Sequence, residues 1–154
     1  MLKNIDPLLS PDLLRILCEM GHGNTIVIAD ANFTAMQLAS ANRPAPCQVV
    51  RLPGIGLVRA AQAVLSVMPL GTAAEQPVQC MQVGNTAAGY LSAVQHEVMH
   101  LVHAEYPATA AQGVERFAFY EATKNAYAII QTGEMQPYAN FIFAKGVIAQ
   151  ALRA

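Results

Sequence analysis

Residues 21–33 read GHGNTIVIADANF, and the second half of that stretch decides the fold class. Ile26-Val27-Ile28-Ala29 is an unbroken apolar run rich in β-branched side chains, which suits a strand covered on both faces. It stops at Asp30, so a carboxylate stands where a buried strand runs out. Ahead of it, His22 sits between two glycines, an ionisable ring in a flexible turn.

Outward from this run, strands and helices alternate. Ser10-Pro11 opens a helix with a capping oxygen and a proline whose φ is already set. Leu13, Leu14, Ile16 and Leu17 supply its apolar face, and Gly21 ends it. Residues 43–46, RPAP, mark a loop. Residues 47–51 read as a second strand and 57–68 as a helix. A strand is expected over 78–83, a long helix over 87–104, a loop at Pro107, and a helix over 115–125. Residues 127–131 and 139–143 read as strands joined by a turn containing Gly133 and Pro137. The alternation predicts an α/β fold, and a closing pair of strands with no helix between them implies a mixed β-sheet flanked by helices. No repeat or linker divides the chain, so residues 1–154 are expected to form one domain.

Composition narrows the functions available. Of 154 residues, 54% are hydrophobic and only 12% charged, and the formal net charge is −1. The thin polar surface points to self-association, in which copies of the chain cover part of one another. No basic run offers the electrostatic footprint of a nucleic-acid binder. The opening MLKNIDPLLSPDLL lacks the pattern of a signal peptide, and no apolar stretch approaches the ~20 residues that cross a bilayer. Cys18, Cys47 and Cys80 are odd in number and unpatterned, so they are expected to be buried, reduced thiols in a cytoplasmic protein.

Residues 96–100, HEVMH, satisfy the H-E-x-x-H pattern, in which two imidazoles on one helical face hold zinc and the glutamate serves a water. His103 falls on the same stripe. That stripe faces away from Leu91, Val94, Val98, Leu101 and Val102. The histidines are therefore expected toward solvent or a partner, on a polar face, an interface or an active-site rim. A zinc hydrolase on His96, Glu97 and His100 is the minor alternative, and no metal site is expected.

Several polar residues have two readings each. His22 either caps the preceding helix or faces a ligand that Gly21 and Gly23 leave room for. Asp30 lies at the C-terminal end of a strand, where α/β proteins usually place ligands, and a carboxylate near an imidazole would fix its tautomer. Arg116 and Tyr120, four apart, share a helical face, as a surface pair or as ligand-binding groups. Tyr138 and Asn140 alternate, and so face one side if a strand begins at Ala139.

The segments MLKNIDPLLSPDLLRILCEMGHG, IVIADANF, RFAFYE and TGEMQPYANFIFAKG, in that order, resemble the family of L-fucose mutarotases and D-ribose pyranases. The resemblance is strong over residues 1–34 and 115–146, fair over 47–70 and poor over 71–114; RFAFYE pulls toward the fucose branch. It implies a three-layer α/β domain assembling into a ring-like oligomer, with monosaccharide sites at subunit boundaries and no cofactor. It also implies His22 as principal acid/base and Asp30 as its partner. Arg116, Tyr120, Tyr138 and Asn140 would be sugar-contacting groups, Tyr120 being grouped with the catalytic residues and Tyr138 the other candidate for protonating the ring oxygen. The expected reaction is interconversion of the anomers of a free monosaccharide, L-fucose or similar. The same pocket on a non-catalytic sugar-binding protein is the alternative.

Overall fold

The computed structural model describes residues 2–41 and 47–148; the expected loop at 43–46 lies outside them. Six strands form one sheet: β1 (Thr25–Ala29), β2 (Gln48–Leu52), β3 (Val78–Met81), β4 (Gln112–Val114), β5 (Ala128–Thr132) and β6 (Phe141–Ala144). Their spatial order is β2-β5-β1-β6-β3-β4. β6 runs antiparallel to both β1 and β3, while β1–β5, β2–β5 and β3–β4 pair in parallel. The sheet is mixed, as the closing strands implied.

Two separate cores line its faces. Ile26 and Ile28 of β1 pack on one side with α1 (Pro11–Glu19), α3 (Leu57–Leu65) and α4 (Ala93–Glu105). Val27 and Ala29 pack on the other with α2 (Ala35–Ala39) and α5 (Arg116–Thr123). The period-2 alternation of an extended chain sends successive apolar side chains into opposite cores, which is why β1 carries no polar residue between Ile26 and Ala29. All four are 0% exposed, each large side chain contributing about 1.5–3 kcal/mol by burial. The result is three layers, helices on both sides of the sheet.

Local signals explain where elements begin. Ser10 Oγ accepts from Leu13 N at 3.2 Å to cap α1, and Lys145 Nζ donates to Leu17 O and Met20 O at its far end. α4 starts at Ala93, not at residue 87 as expected. Asn85 and Gly89 take positive φ, which breaks a helix, and Ser92 and Gln95 then form a capping box. Three elements had not been expected: α2, a short 3-10 helix at Ala73–Glu75, and β4, a three-residue edge strand that exists through its pairing with β3.

The expected strands at 127–131 and 139–143 exist, as β5 and β6, but they are not neighbours; β1 lies between them. Their connection, residues 133–140, therefore passes over the C-terminal end of β1. The thiols differ from expectation too, since Cys80 is buried, Cys47 half-buried and Cys18 exposed. Among the described residues, no helix is long and apolar enough to cross a membrane.

Candidate functional site

The strand directions place the C-terminal ends of β1, β3, β4 and β5 along one edge of the sheet, together with the start of β6. A cavity of about 220 Å³ opens there. Asp30, Asn32, Phe33, Met81, Arg116, Tyr120, Pro137, Tyr138 and Asn140 line it. Five of the six site residues expected from sequence thus meet in one place. A second hollow of about 320 Å³ shares Arg116 and Tyr138 with it and adds Gln82, Gly84, Asn85 and Glu115.

Asp30 and Asn140 form the floor. Asp30 N donates to Asn140 Oδ1 at 2.9 Å, and Asn140 Nδ2 donates back to Asp30 Oδ2 at 2.9 Å. The other carboxylate oxygen accepts from Asn32 N at 2.9 Å. Asp30 is only 4% exposed, and burial pushes its carboxyl above the ordinary value, against the opposing pull of Asn140 and backbone N–H groups. With further pull from the Tyr138 and Phe33 N–H groups, these bonds fix the carboxylate in direction on the cavity floor.

The walls come from α5 and the 133–140 connection. Glu115 caps α5, its carboxylate accepting from Phe117 N and Ala118 N. Arg116 and Tyr120, one turn apart, both reach the cavity. Tyr120 is wedged edge-on between Phe33 and Phe117, at 5.6 and 6.2 Å between ring centroids, and the Arg116 guanidinium lies 4.6 Å from the Phe117 ring centre. Tyr138 and Asn140 share the cavity for a reason other than the one expected. β6 begins at Phe141, and Tyr138 sits in a turn with φ +65°. Its hydroxyl lies where Gly84 has no side chain; a Cβ there would be 2.7 Å from it.

His22 is elsewhere. It precedes β1 whereas Asp30 follows it, so the five residues of β1 separate them by roughly 16 Å of extended chain. Within one chain the expected His22–Asp30 partnership does not form. His22 Nε2 instead meets Glu75 Oε1 at 2.8 Å. The other oxygen of Glu75 is held by Thr72 N and Oγ1, and these bonds, chiefly those from Thr72, lower the Glu75 carboxyl below its ordinary value. Gly23 takes φ +78°, so the turn requires a glycine there.

A family model described as the RbsD / FucU transport protein family matches residues 3–148. The chain belongs to that family. The matched span includes residues 71–114, where the resemblance had been poor. An L-fucose mutarotase of Glaesserella parasuis is 37% identical over 147 residues, 96% of each chain. The human fucose mutarotase is 37% identical over 150 residues, 96% of this chain and 95% of that one. The fucose mutarotase of Streptococcus pneumoniae, solved in complex with L-fucose, superposes with a TM-score of 0.81 at 34% identity, covering 96% of this chain and all of that one.

This RbsD / FucU family member carries its HEVMH segment away from the Asp30 cavity. His96, His100 and His103 line a different hollow of about 590 Å³, between α4, the 107–111 loop and β4. His103 Nε2 lies 2.8 Å from Thr109 O. Among the described residues no three His, Cys, Asp or Glu side chains are grouped to hold a metal ion, so the pattern lacks the third ligand a zinc peptidase needs. Cys80 also borders this hollow, with its thiol pushed up to about 11 by burial; it stays protonated and is a poor nucleophile. The sequence reading missed Glu75, Gln82, Gly84 and Gln95. Only the spacings TAAE and SAVQ, both of the S/T-x-x-E/Q kind, pointed toward Glu75 and Gln95, and as caps.

Proposed function

We propose that this chain is a sugar mutarotase that interconverts the anomers of a free monosaccharide, L-fucose or a close relative of it. The observation that carries the reading is the convergence of Asp30, Arg116, Tyr120, Tyr138 and Asn140 on one cavity. The near-full-length likeness to fucose mutarotases supplies the reaction class. A cyclic sugar is a hemiacetal. Opening it removes the anomeric hydroxyl proton and delivers a proton to the ring oxygen; the open aldehyde turns about C1–C2 and recloses on its other face. Only proton transfers are needed, and positioned acid–base groups accelerate such steps roughly 10²–10⁴-fold.

In this reading Asp30 and Asn140 hold sugar hydroxyls from below, Arg116 binds a hydroxyl from the rim, and Tyr120 or Tyr138 protonates the ring oxygen. His22 takes the anomeric proton, an imidazole being able to accept and return one near neutral pH. Because β1 separates His22 from its own Asp30, the site is composed between chains, with His22 supplied by a second copy in a ring-like oligomer. Two features favour a covered rim: Phe117 is 61% and Met135 71% exposed at this edge, and charged residues are few.

Anomer exchange followed by saturation-transfer NMR tests the reading, on L-fucose with D-ribose and D-galactose in parallel. Exchange above the spontaneous rate that His22→Ala abolishes is expected. Folded protein that binds L-fucose without accelerating exchange would instead be a non-catalytic sugar binder.

A further inference from the structure

Gln95 has 0% of its surface exposed, yet it lies one residue ahead of the HEVMH segment and lines neither the sugar cavity nor the histidine hollow. We propose that Gln95 is a positioning residue that sets the backbone of Tyr138, and with it the tyrosine wall of the sugar cavity. Its Oε1 accepts from Ser92 N at 2.9 Å, which is the capping bond of α4. Capping needs nothing more from it. Both hydrogens of its amide go elsewhere, to Met81 O at 2.8 Å and to Tyr138 O at 3.0 Å. One side chain therefore joins the start of α4, the end of β3 and the turn that carries Tyr138.

Tyr138 gives that bond its consequence. Its φ of +65° is one that non-glycine residues rarely hold unless neighbours impose it. Two donors converge on its carbonyl: Gln95 Nε2, and Asn140 N at 2.8 Å. Asn140 in turn holds Asp30 through two hydrogen bonds. The carbonyl that Gln95 grips is thus shared with the residue forming the cavity floor. Met81, gripped by the second hydrogen, borders the same cavity. Closing the helix end uses only the amide oxygen. Both amide hydrogens go to backbone carbonyls of cavity-lining residues.

The inference rests on the reading of Tyr138 as a sugar-contacting group, and the test separates the two. Full-length wild type, Gln95→Met and Gln95→Glu are compared by saturation-transfer NMR across L-fucose concentrations, and by the ¹³C-labelled tyrosine ring signals, Tyr138 being assigned with Tyr138→Phe. Losing the bond to Tyr138 is expected to raise half-saturating L-fucose about tenfold, with the maximal exchange rate altered less than about threefold. The Tyr138 signal is expected to move without any sugar present. In Gln95→Glu the introduced carboxyl can donate again once protonated, so its half-saturation relative to wild type should recover as pH falls from about 8 to about 5. A folded variant with wild-type half-saturation and an unmoved Tyr138 signal overturns the proposal, even where its stability falls. If wild type turns over no sugar, the mutarotase reading fails and the ring signal decides the role of Gln95. If Gln95→Met does not fold, Gln95→Glu carries the comparison.

Discussion

Burial pushes the Asp30 carboxyl above its ordinary value although three neighbouring N–H groups and Asn140 pull it down. The native state thus binds that proton more tightly than the unfolded chain does. The contribution of Asp30 to stability is therefore greatest below the ordinary aspartate value. It declines as pH rises through the window up to the native value and is flat above. Unfolding free energies of wild type and Asp30→Asn, measured from about pH 3 to about pH 7, should show wild type losing ground to the variant as pH rises through that window. Parallel curves would remove burial as the cause. The members of the cluster around Asp30 stood out in the sequence as a carboxylate at a strand end and an arginine–tyrosine pair one turn apart. Spacing left each with two readings, and only the family resemblance joined them in one site. The left-handed Tyr138 was not legible, since no local pattern marked a tyrosine at positive φ.

At the scale of the element, the turn that carries His22 is tied to two others. Gly23 N donates to Lys145 O and Lys145 N to Asn24 O, which ties the turn to the end of β6. The Lys145 ammonium then caps α1 through Leu17 O and Met20 O, where the helix carbonyls lack partners and carry partial negative charge. Lys145→Met keeps the length of the side chain and removes both bonds. It is expected to cost about 1–2 kcal/mol in unfolding free energy. His22 is expected to lose its fixed place beside Glu75, read as an altered His22 imidazole signal by NMR. An unchanged melting curve would show the cap to be idle. Helix starts with oxygen caps were readable in the sequence, α1 to the residue. α4 was expected six residues early because Ala87 fits a helix by propensity, while the turn at Asn85 and Gly89 is set by the backbone that follows β3.

Across the whole molecule, the sheet order decides which residues can meet. Because the connection from β5 to β6 crosses the end of β1, Asn140 reaches Asp30 across 110 residues of sequence. The same geometry leaves His22 at the opposite end of β1. If two chains complete each site, inactive His22→Ala and Asp30→Asn chains should complement one another. Equal co-expression should restore activity at about a quarter of the sites, those bounded by one intact His22 and one intact Asp30. Separately purified chains, each inactive, should remain so until subunits exchange. A mixture that stays inactive after co-expression would place the whole reaction within one chain.

The sequence alone determined the α/β class and the mixed sheet, and its family resemblance named five of the nine residues lining the cavity. Hydrophobic period and capping chemistry are local, and the quoted motifs name side chains directly. Tertiary structure decided what lies beside what. It inserted β1 between β5 and β6, gave His22 the Glu75 carboxylate, and set Gln95 behind Tyr138. Each of those contacts joins residues about 40 to more than 100 positions apart. Strand order and side-chain burial create such contacts only once both cores have closed, and no spacing along the chain records them.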